Sequence, residues 1–276
     1  MLRIAFLLVL ILTALYLSAA AFVLRFDIDR ALFPHVAIEG NTTQNSMYRV
    51  IGQSGNVMLV RRYGNPHIGC VVFFPGQHGG ISSYEKRLFP RYVAQGIAVF
   101  ALAYPGQDDA PGRSTLGEVQ HLAQQALGIV GQICPLNKTV FVGRSLGSMV
   151  AAYVAGVAHP AGLILDGTTP SLSSTVLVRL HSRWYLSPIA KLPISKLLSH
   201  DYSLIEALSA SPPFPVVVFQ GTSDDQTPIG ALRTRNALPL NSQLVAVDGG
   251  THSNTYLLAI NLYIQAALHM LRHQRT

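Results

Sequence analysis

Charged and uncharged positions divide the chain into two unequal parts. Residues 4–24 carry no charge, whereas the rest of the chain alternates short apolar runs with polar segments. An uncharged stretch of this length, at about 1.5 Å per helical residue, just spans a hydrocarbon core of about 30 Å. The pattern therefore predicts an N-terminal transmembrane anchor or signal sequence over residues 1–24, followed by a connecting segment over residues 25–44.

Two interpretations of the N-terminal stretch stay open. The small residues Ser18–Ala21 resemble the cleavage site of a secretory signal. The apolar run continues beyond that site through Phe22, Val23 and Leu24, which favours an uncleaved anchor helix. We expect a membrane-anchored protein whose remaining chain lies outside the cytoplasm, in the periplasm, although the few flanking charges hardly set the orientation.

Beyond the connecting segment, short runs that are apolar on both faces end at or near Gly, Pro or Asp. Such runs are typical of buried parallel strands. A pair of β-rich segments, Met47–Ile51 and Val57–Arg62, flanks a turn sequence and predicts a hairpin before them. The predicted parallel strands are Cys70–Phe74, Ile97–Ala103, Thr139–Val142, Leu163–Leu165, Val216–Phe219 and Leu244–Val247.

Helical periodicity separates these strands. Alternation of strands and helices after an antiparallel start predicts an α/β domain over residues 45–276, with a mostly parallel eight-stranded sheet and helices on both faces. The predicted helices are Ser82–Gln95, Leu116–Ile133, Ser145–Ala158 and Ser253–Leu271.

Residues 171–200 interrupt the alternation. The segment is long and apolar, has four basic and no acidic residues, and contains the only tryptophan, Trp184. We expect it to form a lid over the functional site that favours acyl substrates with an anionic or lipid part. A helical insertion that completes the core is the alternative.

Composition narrows the classes of function. Hydrophobic residues make up 49% of the chain and charged residues 12%, which excludes global disorder. The net charge of +7 is not gathered into a Lys/Arg run, and no nucleic-acid motif is present, so we expect no nucleic-acid partner. The two cysteines, Cys70 and Cys134, form no C-x-x-C pair. We expect neither a metal nor a cofactor.

The sequence Gly143-Arg-Ser145-Leu-Gly147 is a G-x-S-x-G motif. A β-branched strand precedes it and a small-residue helix follows, which is the strand-turn-helix context of a nucleophile elbow. A tight turn would expose the Ser145 hydroxyl, and glycines are needed where a Cβ would collide with the neighbouring strand or helix. Ser145 is the predicted nucleophile; an ordinary turn with a serine cap is the alternative.

A serine hydroxyl needs a base to take its proton, and the base needs a carboxylate to hold its tautomer. His252 follows the last predicted strand on a Gly-rich loop, and Asp224 follows the strand before it. Both positions lie at carboxyl ends of parallel strands, the edge where Ser145 also lies. Asp225 is equally well placed by position alone. The order Ser145, Asp224, His252 predicts a catalytic triad.

An oxyanion formed during acyl transfer needs backbone N–H donors. Leu146, directly after the nucleophile, is one candidate. The other is Gln77, on the Gly-rich loop 74–80 that follows the first parallel strand. His78 also stands on this loop and lies outside the order expected for a triad.

At this point the sequence resembles the α/β-hydrolase superfamily, and within it the membrane-anchored hydrolase-domain proteins that include depalmitoylases and lipid esterases. The resemblance spans roughly residues 45–272 and rests on the elbow, on Gly-Thr-His252-Ser-Asn, on Gly221-Thr-Ser-Asp224, and on the loop 104–113. The family pattern favours Asp224 over Asp225 as the acid, by its distance from Gly221 and Pro228. The oxyanion loop departs from the pattern at Pro75 and Gln77, and the loop 104–113 departs by carrying Asp108 and Asp109.

The resemblance implies an α/β-hydrolase fold and a serine hydrolase that cleaves an acyl ester or thioester through a covalent acyl-serine, with a small-molecule or lipid substrate. A peptidase on the same fold is an alternative, for which Asp108, Asp109 and Asp225 are candidates to hold a substrate amine. A non-catalytic scaffold is another. In this fold the strands beginning near Cys70 and Thr139 are neighbours, so Cys70 and Cys134 are expected to form a disulfide in an exported domain; two buried free thiols are the alternative.

Overall fold

A computed structural model of the chain describes residues 2–35, 45–77, 80–209 and 212–272. The eight strands of its sheet are β1 (Ser46–Ile51), β2 (Val57–Tyr63), β3 (Gly69–Phe74), β4 (Ile97–Ala103), β5 (Thr139–Arg144), β6 (Gly162–Asp166), β7 (Val216–Gly221) and β8 (Ser242–Val247).

The helices follow the strands in alternation along most of the chain. Two short 3-10 turns, Leu136–Lys138 and Ile189–Lys191, accompany them. The α-helices are α1 (Leu2–Phe26), α2 (Ile28–Leu32), α3 (Ile81–Glu85), α4 (Phe89–Ala94), α5 (Leu116–Ile133), α6 (Leu146–Ala158), α7 (Leu172–His181), α8 (Ile194–Leu197), α9 (Leu204–Leu208), α10 (Ile229–Leu232), α11 (Thr255–Leu258) and α12 (Ile260–Arg272).

The strands form one sheet in the order β1-β2-β4-β3-β5-β6-β7-β8. The β1–β2 and β2–β4 pairs are antiparallel, and every other neighbouring pair is parallel. The predicted mostly parallel eight-stranded sheet with an antiparallel start is confirmed. Because β3, β5, β6, β7 and β8 all run the same way, the loops that follow them meet at one edge of the sheet.

Apolar side chains cover both faces of the sheet, as the continuous apolar runs predict. On one face Val72, Phe100 and Phe141 belong to a core that also contains residues of α5 and α6. On the other face Val71 and Val99 pack in a second core with residues of α4 and α12. The central strands are thus buried between two helical layers, which fixes the edge where their loops emerge.

The prediction of one helix over Ser82–Gln95 is wrong. Two short helices, α3 and α4, occupy this range, and Lys86, Arg87 and Leu88 separate them. Pro90 lies in the first turn of α4. Proline lacks an N–H to continue a helix that precedes it and fits the first turn of a new one, which accounts for the interruption.

The N-terminal helix α1 is long and apolar enough to cross a membrane, by length and composition. The connecting segment predicted at 25–44 is partly structured: α2 begins at Ile28, and Leu32 and Phe33 are buried in the same core as α5 and α6. Residues 36–44 lie outside the described residues. The N-terminal part of the chain therefore packs directly against the α/β domain.

Cys70 and Cys134 are joined by a disulfide, with their Cα atoms 6.4 Å apart. Cys70 lies near the start of β3, and Cys134 follows α5 shortly before β5. Both side chains are buried. The bridge lies at the amino-terminal edge of the parallel strands, opposite the edge where their carboxyl ends meet.

Candidate active site

Ser145 occupies the sharp turn between β5 and α6. Its backbone has φ 52° and ψ −122°, and L-residues rarely adopt a positive φ. Two glycines allow the surrounding chains to approach this closely. A Cβ at Gly143 would lie 2.7 Å from the Ala151 Cβ, and a Cβ at Gly147 would overlap the carbonyl oxygens of Phe74 and Pro75. The predicted strand-turn-helix context of Ser145 is present, together with the crowding that explains both glycines.

Replacing Gly147 with Ala is expected to lower the free energy of unfolding by about 3 kcal/mol, because backbone atoms cannot retreat from a new methyl group. Gly128, in the middle of α5, is the matched control, since a Cβ there would meet no atom within 4 Å. Gly128→Ala should raise stability by about 0.5–1 kcal/mol. Urea unfolding of both detergent-solubilised variants measures the two changes, and equal midpoints would contradict the close approach at Gly147.

Three side chains predicted as a triad form one chain of hydrogen bonds. His252 Nε2 lies 2.8 Å from Ser145 Oγ, and His252 Nδ1 lies 2.9 Å from Asp224 Oδ2. Asp224 and Ser145 each follow a parallel strand, β7 and β5, and His252 lies on the loop after β8. The carboxyl edge of the sheet thus brings together residues that are more than a hundred positions apart in sequence.

Several hydrogen-bond donors surround the Asp224 carboxylate. Its Oδ1 accepts hydrogen bonds from the backbone N–H of Gln226 at 3.0 Å and of Thr227 at 2.9 Å. The Thr227 hydroxyl donates to Oδ2 at 2.7 Å. Burial opposes the charged form, but hydrogen bonds from His252 and Thr227 outweigh it and lower the pKa of Asp224 below its usual value. Asp225, the neighbouring carboxylate, is exposed.

Arg144 is a residue of this site that sequence reasoning missed. It is the variable residue before Ser145 in the motif, and its guanidinium donates to the backbone carbonyl oxygen of His252. Its Nε lies 3.2 Å from Asp166 Oδ2, and its Cζ lies 5.3 Å from the ring centre of Tyr256. Arg144 therefore ties the elbow to the loop that carries His252. Only the folded chain reveals this contact, since the motif allows any residue there.

The Gly-rich loop after β3 lies against Ser145. A Cβ at Gly76 would be 3.3 Å from the Ser145 Cβ. Gln77 and Leu146 both line the cavity that contains Ser145. The side chain of Gln77 points to neighbouring helices: its Nε2 donates to the Ala31 carbonyl, and its Oε1 accepts from Arg179 at 2.5 Å. His78 and Gly79 lie outside the described residues.

The loop 104–113, whose aspartates depart from the family pattern, braces the Gly-rich loop. Gln107 Nε2 donates to the Gln77 carbonyl oxygen at 2.6 Å, and the backbone N–H of Ile81 lies 3.5 Å from Asp108 Oδ2. Buried Arg61 donates to the Asp108 carbonyl oxygen at 2.5 Å. Burial raises the pKa of Asp108 to about 6. These contacts place Asp108 in support of the loop rather than in the cavity.

A cavity of about 460 Å³ lies over Ser145 and His252. This volume is within the roughly 300–1,000 Å³ typical of small-molecule pockets. Its walls are mainly apolar and come from α1, α2, α7 and the segment after α7. Within residues 171–200, Leu186 lines the cavity, whereas Trp184 is 87% exposed and lies outside it. No acidic side chain lines the cavity in the part of the chain that the structure describes.

Solved structures share this architecture at low sequence identity. An esterase from Pyrococcus furiosus has a TM-score of 0.68 and 15% identity, over 87% of this chain and 97% of the esterase. A monoacylglycerol lipase from Paleococcus ferrophilus has a TM-score of 0.56 and 17% identity, over 77% of this chain and 99% of the lipase. The thioesterase domain from the curacin biosynthetic pathway has a TM-score of 0.56 and 16% identity, over 81% of this chain and 100% of that domain.

A family comparison covers the centre of the chain. No curated protein sequence matches significantly. The sequence model of the alpha/beta hydrolase family matches residues 71–240, a range that begins in β3, contains the elbow and Asp224, and ends before β8. The match covers more than half of the chain, and the sheet order and the turn at Ser145 agree with it. This chain belongs to the alpha/beta hydrolase family.

Proposed function

We propose that the protein is a serine hydrolase that cleaves an acyl ester or thioester through a covalent acyl-serine intermediate. The observation that carries the proposal is the hydrogen-bonded chain from Asp224 through His252 to Ser145, which ends in an apolar cavity. Membership in a hydrolase family and the likeness to an esterase, a lipase and a thioesterase support it.

Acylation begins when Ser145 Oγ attacks the carbonyl carbon of the substrate and passes its proton to His252 Nε2. Asp224 accepts the Nδ1 hydrogen bond and stabilises the imidazolium that forms. The carbonyl oxygen becomes an oxyanion, and the backbone N–H groups of Leu146 and Gln77 donate to it. His252 then gives its proton to the leaving alcohol or thiol, and the acyl group stays on Ser145.

Deacylation repeats these steps with water. The water oxygen attacks the acyl carbon while His252 takes a proton from the water. His252 then gives this proton to Ser145 Oγ when the carboxylic acid leaves. Arg144 holds the loop of His252 through its backbone carbonyl and keeps the imidazole in line with both partners. Arg144 is a positioning residue because it does not line the cavity and bonds to His252 through the backbone carbonyl oxygen and not the imidazole.

The cavity favours an apolar acyl group over a peptide. An aminopeptidase needs acidic side chains to hold the substrate amine, and the three candidates lie elsewhere. Asp108 is buried beneath the Gly-rich loop, Asp109 lies beside Arg61, and Asp225 is exposed. Apolar residues of α1, α2 and α7 provide a large part of the wall instead, which suits an acyl chain.

We also propose that α1 anchors the protein in a membrane and that the α/β domain lies on the extracytoplasmic, periplasmic side. The length and apolar composition of α1 support the anchor. The disulfide between Cys70 and Cys134 supports the extracytoplasmic location of the α/β domain, because structural disulfides persist in oxidising compartments and are rare in the cytosol.

Labelling with a fluorophosphonate probe tests the nucleophile directly. We expect the wild-type protein to be labelled and Ser145→Ala to lose the label, while Ser182→Ala, at an exposed serine of the segment 171–200, keeps it. If Ser145→Ala kept the label, another residue would be the nucleophile. Comparing p-nitrophenyl esters with aminoacyl anilides then separates an esterase from a peptidase, and absence of both labelling and hydrolysis would leave only a non-catalytic scaffold.

A further inference from the structure

The wall of the cavity over Ser145 contains residues of the N-terminal apolar helix. Five residues of α1 line it at helical spacing: Tyr16, Ala19, Ala20, Val23 and Leu24. We propose that α1 is a substrate-binding wall as well as an anchor, and that it holds the mouth of the cavity at the bilayer surface, so that the substrate is an acyl lipid resident in the membrane. This inference rests on the proposed function, since it names the substrate of the same site.

Several contacts fix α1 and α2 to the domain. The Tyr16 hydroxyl donates to the Tyr185 carbonyl oxygen at 2.5 Å, and Arg25 donates to the Leu198 carbonyl oxygen at 3.3 Å. After α1, the Asp29 carboxylate accepts the Leu116 N–H at 2.9 Å. The bonds of Tyr16 and Arg25 attach α1 to the domain at both ends of the stretch that lines the cavity, so this stretch forms part of the cavity wall.

The length of α1 determines how deep the domain lies. Residues 2–15 are exposed and extend about 21 Å at 1.5 Å per residue, which is shorter than a hydrocarbon core of about 30 Å. For α1 to cross a bilayer, residues 16–24 must supply the remaining depth. Those residues carry the cavity wall, so the cavity lies at the level of the lipid headgroups and upper acyl chains.

The segment beside α1 has the composition of a membrane-interface surface. Trp184 is 87% exposed and Tyr185 is 46% exposed, and Tyr185 is the partner of Tyr16 on α1. Tryptophan and tyrosine favour the interface between lipid and water. The basic residues of this segment, which has no acidic residue, complement anionic headgroups; they are Arg179, Arg183, Lys191 and Lys196.

The same geometry assigns a use to the small residues at Ser18–Ala21, which as a sequence resemble a cleavage site. Ala19 and Ala20 face the cavity, where short side chains leave room for an acyl chain. Cleavage there would remove Tyr16 and part of the wall. The working enzyme therefore retains α1.

Filling the cavity from α1 tests the wall. Ala19 is exposed and lines the cavity, and Ala14 is exposed on the same helix and does not line it. We expect Ala19→Phe to lower the ratio of kcat/KM for p-nitrophenyl decanoate to that for p-nitrophenyl acetate at least tenfold. Ala14→Phe, the same change outside the wall, should keep this ratio within twofold of wild type.

The outcomes separate this inference from the proposed function. If wild type takes the fluorophosphonate label and cleaves acetate, but Ala19→Phe and Ala14→Phe have the same ratio, the wall is overturned and the proposed function stands. If wild type neither labels nor cleaves any ester, both fall together.

The position of the membrane has a readout independent of activity, because Trp184 is the only tryptophan. The full chain is reconstituted in vesicles of phosphatidylcholine and phosphatidylglycerol, with or without bromine on the acyl chains. We expect brominated lipid to quench the emission of Trp184 at least twofold. Quenching of less than one tenth, with the protein fully incorporated, would overturn the placement of the cavity at the bilayer.

Discussion

Replacing Asp224 with Asn is expected to lower kcat about ten-thousand-fold, the size of loss seen when a catalytic histidine is held in the wrong tautomer. The backbone N–H groups of Gln226 and Thr227 donate to Oδ1 and would keep the amide oxygen in that place. The amide NH₂ would then face His252 Nδ1 and oblige it to accept. The proton moves to Nε2, which can no longer take one from Ser145.

Asp225→Asn is the matched control, because Asp225 is the adjacent residue, is exposed, and undergoes the same chemical change. It should keep most of the activity. Circular dichroism and urea unfolding would show both variants folded, with a cost of about 2 kcal/mol in Asp224→Asn, because Oδ2 is a charged acceptor for His252 and Thr227. If Asp225→Asn abolished turnover and Asp224→Asn did not, the acid would be reassigned, and the pairing of Ser145 with His252 would survive.

Breaking the disulfide between Cys70 and Cys134 is expected to lower the free energy of unfolding by about 4 kcal/mol, the chain-entropy value for a loop of this length. The bridge spans 64 positions and closes a loop that contains β4 and α5. Urea unfolding of the detergent-solubilised protein, with and without reductant, measures the difference. Thiol counting on the denatured, unreduced protein should find no free thiol.

A double variant, Cys70→Ala with Cys134→Ala, provides the control. Its free energy of unfolding should be lower than that of the oxidised wild-type protein. It should not change when reductant is added, because no bridge remains to break. Two free thiols in the wild-type protein, or a wild-type stability insensitive to reductant, would show that the cysteines are unpaired in the native protein.

Much of the fold was predictable because its strands are buried on both faces. Runs such as Ile97–Ala103 have no polar face and match β4 in full. The helix predicted at Leu116–Ile133 coincides with α5, where Thr115 caps the first turn by accepting the N–H of Glu118. Local patterns of this kind are properties of neighbouring residues, so one sequence contains them.

Chain order and strand ends predicted the positions of the site residues, and the family pattern chose Asp224 over Asp225. The structure brings Ser145, His252 and Asp224 within hydrogen-bond reach. The residues that brace them were not predictable. Arg144 contacts a loop that is distant in sequence. Thr227 donates a hydrogen bond from its hydroxyl, and no sequence motif marks that residue. The docking of α1 was hidden for another reason: the helix is apolar all round, so no periodicity marks the face that meets the domain.

The bridge between Cys70 and Cys134 has a consequence for protein engineering. It constrains the chain at the amino-terminal edge of the parallel strands, while the loops that carry Ser145, Asp224 and His252 leave from the opposite edge. Loop exchange at the carboxyl edge would leave this covalent constraint in place. New substrate preferences are therefore best sought by grafting and randomising the loops of the carboxyl edge, because the disulfide already cross-links the scaffold at the opposite edge.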